Sequence, residues 1–413
     1  MSENGSEDVH LLGAQAGLVG VGVARSQRGW VASARERHPH DMRIQAGEMQ
    51  DKAQPRPLRV QDYEDLARAR MEPSTWDYLQ GGSDDEVTLR SNREAFARLH
   101  LRPRVLVDVS RCELSTQVVG TSMAVPLLVA PMAYHRLAHP EGEVATARGA
   151  GAVGVPLVVS TFSSRTLEDV AAAAQGPLWL QVYCFRRREV TASLLRRAEA
   201  AGYRALVLTV DAPRLGRRER DLRNGFGLPP HVQAANFSHE LTATLSTREQ
   251  GNSGIARHAQ EAFDTSMSWE VVEWVRSVSR LPLLLKGVLT AEDAARAASL
   301  GVDGVIVSNH GGRQLDGALS ALEALPEVVR AVGDRCEVLM DGGIRRGTDV
   351  LKALALGARA VLVGRPVFWG LAAEGEQGVS HLLSLLREEL ELAMALAGRP
   401  TLADIDPSLI FRP

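Results

Sequence analysis

Ser308-Asn309-His310-Gly311-Gly312-Arg313-Gln314-Leu315-Asp316-Gly317 follows directly on the apolar run Gly304-Val305-Ile306-Val307. That run has the length and β-branched content of a buried strand. A histidine, two glycines and an arginine therefore stand at a strand end. Histidine exchanges a proton near neutral pH. Arginine grips a carboxylate through two parallel hydrogen bonds. Paired glycines let backbone approach a ligand closely. Taken alone, the stretch reads equally well as a polar turn, and its meaning depends on how the other strands end.

Outward from this turn, short apolar runs alternate with alanine-rich helical segments at the spacing of βα units. The predicted strands are Leu127–Ala130, Pro156–Ser160, Leu178–Val182, Ala205–Val210, Pro282–Leu285, Gly304–Val307, Glu337–Met340 and Ala360–Val363. Eight such units predict an α/β fold, a TIM (β/α)8 barrel, with its site at the C-terminal strand ends. A doubly wound open sheet is the alternative. It usually carries Gly-x-Gly-x-x-Gly after its first strand, and that pattern is absent here.

A barrel requires useful groups where its strands end. The eight ends supply Pro131-Met132-Ala133, Ser160-Thr161, Gln181 with Tyr183, Thr209 with Asp211, Lys286-Gly287, Ser308 to His310, Asp341-Gly342-Gly343, and Gly364-Arg365. A polar residue at one strand end is usually only solvated. Eight in succession on one rim are not explained that way.

Ahead of the barrel, helices are predicted over Val60–Arg70 with Asp62 as N-cap, over Ser74–Leu79 after Pro73, and over Thr88–Ala97. Gly81-Gly82 stops the second helix. Tyr78 precedes that stop, where an aromatic packs and its hydroxyl needs a partner. A small β section is expected around Thr116 to Val119. More than fifty residues separate Asp211 from the helix near Trp269. This long loop after strand four starts Pro213-Arg214-Leu215-Gly216-Arg217-Arg218 and includes the Ser/Thr-rich stretch from His239 to Gly254. Such a connection is a lid, a binding loop or disordered.

Composition bounds the rest. The 413 residues are 45% hydrophobic and 23% charged, with a net charge of -3. Nothing here favours nucleic acid or a membrane as partner. Cys112, Cys184 and Cys336 are far apart and not in metal spacing, so neither a disulfide framework nor a metal site is implied, and a cytoplasmic location is expected. Val9 to Ala24 is apolar but interrupted by glycines, too short to span a membrane, and lacks the preceding basic residues of a secretory signal. Residues 1–57 are expected as a poorly ordered extension, 58–400 as the barrel domain, and 401–413 as a C-terminal tail.

The ends of strands seven and eight read as a phosphate site. Gly342, Gly343 and Gly364 expose backbone N–H groups, and Arg345 and Arg365 supply charge. Lys286 places a positive charge in the barrel mouth, suited to an anionic reduced flavin ring. Gln181, Thr209 and Ser160 could hydrogen-bond the ring's edge. His310, Asp211, Arg313, Arg218, Tyr183 and Tyr78 are left for the substrate. Two arginines and two phenols suit a small carboxylate, and Asp211 could fix the tautomer of His310.

From about Leu58 to Leu383 the chain resembles the FMN-dependent 2-hydroxy acid oxidase and dehydrogenase family. The matching stretches are Arg90-Ser91-Asn92-Arg93-Glu94-Ala95-Phe96, His139-Pro140-Glu141-Gly142-Glu143, Leu208-Thr209-Val210-Asp211, Pro213 to Arg218, Ser308 to Gly317, and Asp341-Gly342-Gly343-Ile344-Arg345-Arg346-Gly347. The resemblance implies oxidation of an (S)-2-hydroxy acid to a 2-oxo acid. It makes His310 the catalytic base, Arg313 the carboxylate clamp, and Arg218, Tyr183 and Tyr78 substrate contacts. FMN contacts would come from Pro131, Met132, Ala133, Ser160, Gln181, Thr209, Lys286, Ser308, Asp341, Gly342, Gly343, Ile344, Arg345, Gly364 and Arg365. In the family electrons pass to O2, a quinone or a cytochrome; O2 or a soluble electron acceptor is expected here, and the resemblance implies a homo-oligomer, a tetramer. Met132 and Phe162 depart from many members, which carry a small residue and a tryptophan there. Phe162 leaves room for an aryl group, as in mandelate and 4-hydroxymandelate oxidases, or for a long aliphatic chain. A flavin-dependent isomerase or a non-enzymatic flavoprotein would not need His310, Arg313 and Arg218 together.

Overall fold

The computed structural model describes residues 56–237 and 253–413. Residues 1–55 of the extension expected over 1–57, and most of the His239–Gly254 stretch, lie outside them. Eight parallel strands close a barrel in chain order: β1 (Leu127–Val129), β2 (Leu157–Val159), β3 (Leu178–Val182), β4 (Leu206–Thr209), β5 (Leu283–Val288), β6 (Gly304–Val307), β7 (Glu337–Asp341) and β8 (Ala360–Val363). Closure comes from Val361 to Val363 of β8 pairing with Leu127 to Val129 of β1.

Strand parity fixes which side chains fill the barrel. Leu128, Val158, Trp179, Val207, Leu284, Ile306, Leu339 and Leu362 form one buried cluster. Their strand neighbours, such as Leu127, Leu157, Leu206 and Val305, belong to a second, larger core that includes the helices. Two residues beyond each member of the first set, on the same face, come Ala130, Ser160, Gln181, Thr209, Lys286, Ser308, Asp341 and Gly364. The upper layer of the barrel is thus mostly polar, because six of these eight inward positions are polar and only Ala130 and Gly364 are not. Below, an antiparallel pair, Thr116–Val118 with Thr121–Met123, joins the inner cluster through Val118 and Met123. Trp179 donates its indole N–H to Thr121 Oγ1 at 3.0 Å from inside the barrel floor.

The structure corrects several expectations. β5 does not end before Lys286 but runs on to Val288, with a register irregularity between Lys286 and Val288. Gly287 has φ +111 there, and a Cβ on it would meet the Asp211 Cβ at 2.5 Å. Only glycine fits such a bulge. Asp62 is not an N-cap. Its carboxylate accepts from the backbone N–H groups of Leu58 and Arg59, and Gln61 holds the cap position of the helix Asp62–Arg70. The helix Pro73–Gln80 ends at Gly81 without a left-handed residue, since Gly81 has φ -60. Among the described residues the connection after β4 contains the helices Glu219–Arg223 and Gly254–Ala262. The expected tail is built into the fold: Ile410–Phe411 pairs with His100–Leu101, and Leu409 is fully buried.

Candidate active site

The loop after β6 is held from three sides. Asn309 and Asn92 exchange side-chain hydrogen bonds of 2.8 and 2.9 Å. Asp316 accepts from the backbone N–H groups of Val87 and Thr88, capping the helix Val87–Ala97 from across the fold. Gln314 donates to the carbonyls of Asp211 and Arg214 and accepts from the Gly216 N–H. Gly312 has φ +74 and packs so closely that a Cβ would meet the Leu89 backbone nitrogen at 2.6 Å. His310 is held at φ +58, a costly conformation for a side chain with a Cβ.

His310 Nδ1 lies 2.9 Å from Asp211 Oδ1. If Nδ1 carries the proton and donates it to the carboxylate, Nε2 is the basic nitrogen. Burial lowers the pKa of His310, and Asp211 pulls it partly back up. Burial also acts against the Asp211 carboxylate, but His310 outweighs it and the carboxyl stays below its ordinary range. His310 lines the central cavity. Asp211 sits behind it.

Lys286 is buried, 3.0 Å from Asp341 Oδ2 and 2.8 Å from Ser308 Oγ. Burial penalises its ammonium, yet Asp341 and Asp211 outweigh that and raise its pKa, so the charge is retained. The Ser308 hydroxyl also accepts from the His310 N–H at 3.1 Å. Ser308 therefore supports Lys286 and the His310 backbone and does not line the cavity. The other proposed cofactor residues do line it. Gln181 donates to Thr209 Oγ1 at 2.9 Å and accepts from the Thr161 N–H, which presets its amide.

Four arginines face this cavity: Arg218, Arg313, Arg345 and Arg365. Among the described residues none of the four has an ion-pair partner. Arg313 donates from Nη1 to the carbonyls of Tyr78 and Gly81, and lies 5.2 Å over the Tyr78 ring. Arg365 donates to the carbonyls of Leu79, Gly81 and Gly311. Arg345 lies 4.7 Å over the Trp369 ring. Burial, and then the neighbouring arginines, lower Arg313 and Arg365 to about 9. Burial and Arg93 lower Arg345 to about 10. All three remain cationic at neutral pH. The buried Arg218 has its Nε unpartnered among the described residues.

The cavity and its open mouth together span about 1260 Å³. It has two ends. One holds Gly342 and Gly343, both at positive φ, with Arg345, Arg365 and the uncapped start of the helix Arg365–Ala397 behind Gly364. Open N–H groups, a helix N-terminus and two unpaired guanidiniums call for an anion such as phosphate. Asp341 Oδ1, also buried there, lacks a partner among the described residues. The residues present thus fit a flavin mononucleotide: phosphate at this end, ring beside Gln181, Thr209 and Lys286.

At the other end Tyr78, Tyr183, Arg218, Arg313 and His310 come together as expected. Tyr78 stacks on Phe226 at 4.5 Å and Tyr183 on Phe263 at 4.7 Å. Phe162 adjoins the rings of Tyr134, Tyr183, Phe185, Phe237 and Phe263 within 6.2 Å. Sequence reading singled out Phe162 but missed Tyr134, Phe263 and Asp221. Asp221 is buried, its carboxyl pushed up by that burial and held back by Arg313 and Arg218. An acidic residue three positions after Arg218 was the available signal.

A family model, the FMN-dependent dehydrogenases, matches residues 67–412. An L-lactate oxidase of Nostoc sp. is 50% identical over 358 residues, 86% of this chain and 98% of that protein. The peroxisomal (S)-2-hydroxyacid oxidase GLO3 of Arabidopsis thaliana is 49% identical, over 84% of this chain and 94% of its own. A crystal structure of a mandelate oxidase with (S)-4-hydroxymandelic acid superposes with TM-score 0.82 at 49% identity, covering 84% of this chain and 97% of that one. The chain belongs to the FMN-dependent dehydrogenase family and is an FMN-dependent oxidoreductase.

Proposed function

We propose that this member of the family oxidises a bulky, aryl-bearing (S)-2-hydroxy acid of the mandelate type to its 2-oxo acid, with O2 as electron acceptor and H2O2 as product. The observation that carries the aryl reading is the set of rings, Tyr134, Phe162, Tyr183 and Phe263, lining the same cavity as Arg218 and Arg313. An aliphatic acid of two or three carbons would leave that apolar wall uncovered.

In this reading Arg313 and Arg218 bind the substrate carboxylate, with the Tyr78 and Tyr183 hydroxyls completing its hydrogen bonds. The carboxylate thereby fixes C2 near His310. Nε2 of His310 takes the substrate proton, and Asp211 steadies the imidazolium that forms. Bound FMN supplies two-electron acceptance. Lys286 keeps a positive charge where the ring would gain electron density.

The cytoplasm and a homo-oligomer belong to the same proposal. Cys112, Cys184 and Cys336 are all free, which suits a reducing compartment. Val105, Leu106 and Val107 form an exposed apolar run, and Leu392 and Leu396 are exposed too, as surfaces for self-association would be. No helix among the described residues is long and apolar enough to cross a membrane.

The test is anaerobic. Adding mandelate to the yellow holoenzyme is expected to bleach the flavin with a higher kcat/KM than lactate, glycolate or a long aliphatic 2-hydroxy acid. Admitting air should restore the colour and release peroxide. Faster bleaching by lactate or glycolate overturns the aryl assignment. Reduced enzyme that persists in air but reoxidises with a quinone overturns the acceptor.

A further inference from the structure

His310, Gly311 and Gly312 stand at φ +58, +65 and +74, three left-handed residues in succession. Glycine takes this conformation freely, but a residue with a Cβ does not. Groups outside the turn must therefore hold His310 there. Asn309 closes the turn. Its Oδ1 accepts from the Gly312 N–H at 3.1 Å, across His310 and Gly311, and its Nδ2 donates to the Leu319 carbonyl at 2.9 Å, at the far end of the loop. The other donor and acceptor of this amide go to Asn92. Asn92 Nδ2 donates to Asn309 Oδ1 at 2.9 Å, and Asn309 Nδ2 donates to Asn92 Oδ1 at 2.8 Å. The Asn309 amide is thus fully used, which fixes its plane. Both side chains are buried, and neither residue lines the cavity.

The helix Val87–Ala97, which carries Asn92, has its own ties to the barrel. Arg93 donates to Asp349 at 3.0 Å, Asp316 caps the helix start, and a Cβ on Gly343 would overlap the Asn92 carbonyl. None of these ties uses the Asn92 side chain. The amide pair is therefore not needed to dock the helix, and its effect falls on the turn. Arg313, three residues after His310, is anchored separately to the carbonyls of Tyr78 and Gly81. Loosening the asparagine pair would thus disturb the histidine more than the arginine.

We propose that Asn92 is a positioning residue for the oxidation: by locking the Asn309 amide it holds the His310 imidazole at the substrate, while touching neither substrate nor flavin. This rests on His310 as the base and adds what keeps that base in place. A residue over two hundred positions upstream in the chain thereby sets the rate of the proton transfer and leaves carboxylate binding to the arginines.

The test is a cycle of holoenzymes matched for FMN content: wild type, Asn92→Ala, His310→Ala and the double variant. Each is mixed rapidly and anaerobically with (S)-mandelate and, in parallel, with (S)-lactate. In Asn92→Ala the limiting rate of flavin reduction should fall by roughly 10- to 100-fold, the scale of a misplacement of about 1 Å. The half-saturation point should stay within about threefold, as for an interaction that serves the transition state. On the His310→Ala background Asn92→Ala should cost less than about twofold, because the group it positions is gone. A wild-type limiting rate in Asn92→Ala, a half-saturation point that moves as far as the rate, or a full further loss on the His310→Ala background overturns the proposal and leaves His310 as the base. If His310→Ala itself reduces its flavin at the wild-type rate, the base assignment falls and this proposal with it. Should Asn92→Ala not fold, Asn92→Asp decides. It has the same size, keeps the bond from Asn309 Nδ2 and loses the one to Oδ1. Its limiting rate should fall with half-saturation unmoved, and a wild-type limiting rate overturns the proposal.

Discussion

The Nδ1 of His310 and the Oδ1 of Asp211 lie 2.9 Å apart, although 99 residues separate them in the chain. β4 delivers the aspartate and β6 the histidine, and Gln314 ties the two loops by donating to the Asp211 carbonyl. His310→Ala should keep FMN bound, because the residue lies away from the phosphate end. It should slow flavin reduction by the ~10²–10⁴-fold typical of losing a general acid–base group. Rapid mixing with substrate reads both. A variant that reduces its flavin at the wild-type rate removes His310 from the chemistry.

Burial sets the pH dependence. It lowers the His310 pKa below the ordinary histidine value, with Asp211 limiting the fall. The neutral base therefore persists as pH drops through about 6.5, and the acid limb of the reduction rate should lie below that pH. The unfolded chain takes up this proton first, so the residue's share of stability shrinks as pH falls below about 6.5. Asp211→Asn removes the attraction that holds the pKa up. The acid limb should move lower still, while the plateau rate drops by roughly 10–100-fold, less than removal of the base itself. A limb that moves upward in Asp211→Asn contradicts this.

Arg313→Lys should act on affinity. In the wild type one Nη is committed to the carbonyls of Tyr78 and Gly81. An ammonium can satisfy those carbonyls or the substrate carboxylate, but it lacks the planar fork that serves both. Losing a charge-assisted bond costs roughly 1.5–3 kcal/mol, about 10–150-fold in Kd by the 1.4 kcal/mol per decade rule. Reduction rates against substrate concentration should show the half-saturation point moving more than the limiting rate.

Gly287→Ala joins a strained backbone to a clash. φ is +111, and the new methyl group would lie 2.5 and 2.6 Å from the Cβ and Cγ of Asp211. The melting of the holoprotein should report a loss of about 1–3 kcal/mol. Flavin reduction should also slow as Asp211 is displaced. A variant with wild-type melting would mean that the bulge relaxes freely.

Removal of residues 1–57 should leave FMN binding and flavin reduction intact, since the family match begins at residue 67. Flavin content per chain and circular dichroism of the shortened protein check this. Loss of FMN would assign those residues a part in the fold.

What could be read from the sequence follows strand parity. The polar residue two places beyond the inward residue of six strands, β2 to β7, was visible as a strand end, and all eight barrel strands lie within three residues of their expected bounds. The cross-fold ties were not visible. Asp316 capping Val87 spans 229 residues, and no local pattern records such a pairing. Asp62 misled for the opposite reason: acidic residues at helix starts usually cap forward, and here the carboxylate turned back to Leu58 and Arg59. Tyr134 was hidden because an aromatic after a strand reads as core whether or not it lines the cavity.

The helix Val87–Ala97 is made early in synthesis, but its partners come late. Arg93 donates to the Gly343 carbonyl and to Asp349, 250 and 256 residues downstream. At roughly 5–20 residues per second, a ribosome needs on the order of 13–50 s to supply them. For that interval Phe96 and the rest of the helix's apolar face have no barrel to dock on. The segment that braces the catalytic loop thus waits through most of the chain's synthesis, and Tyr63, whose partner His381 lies 318 residues downstream, waits longer still.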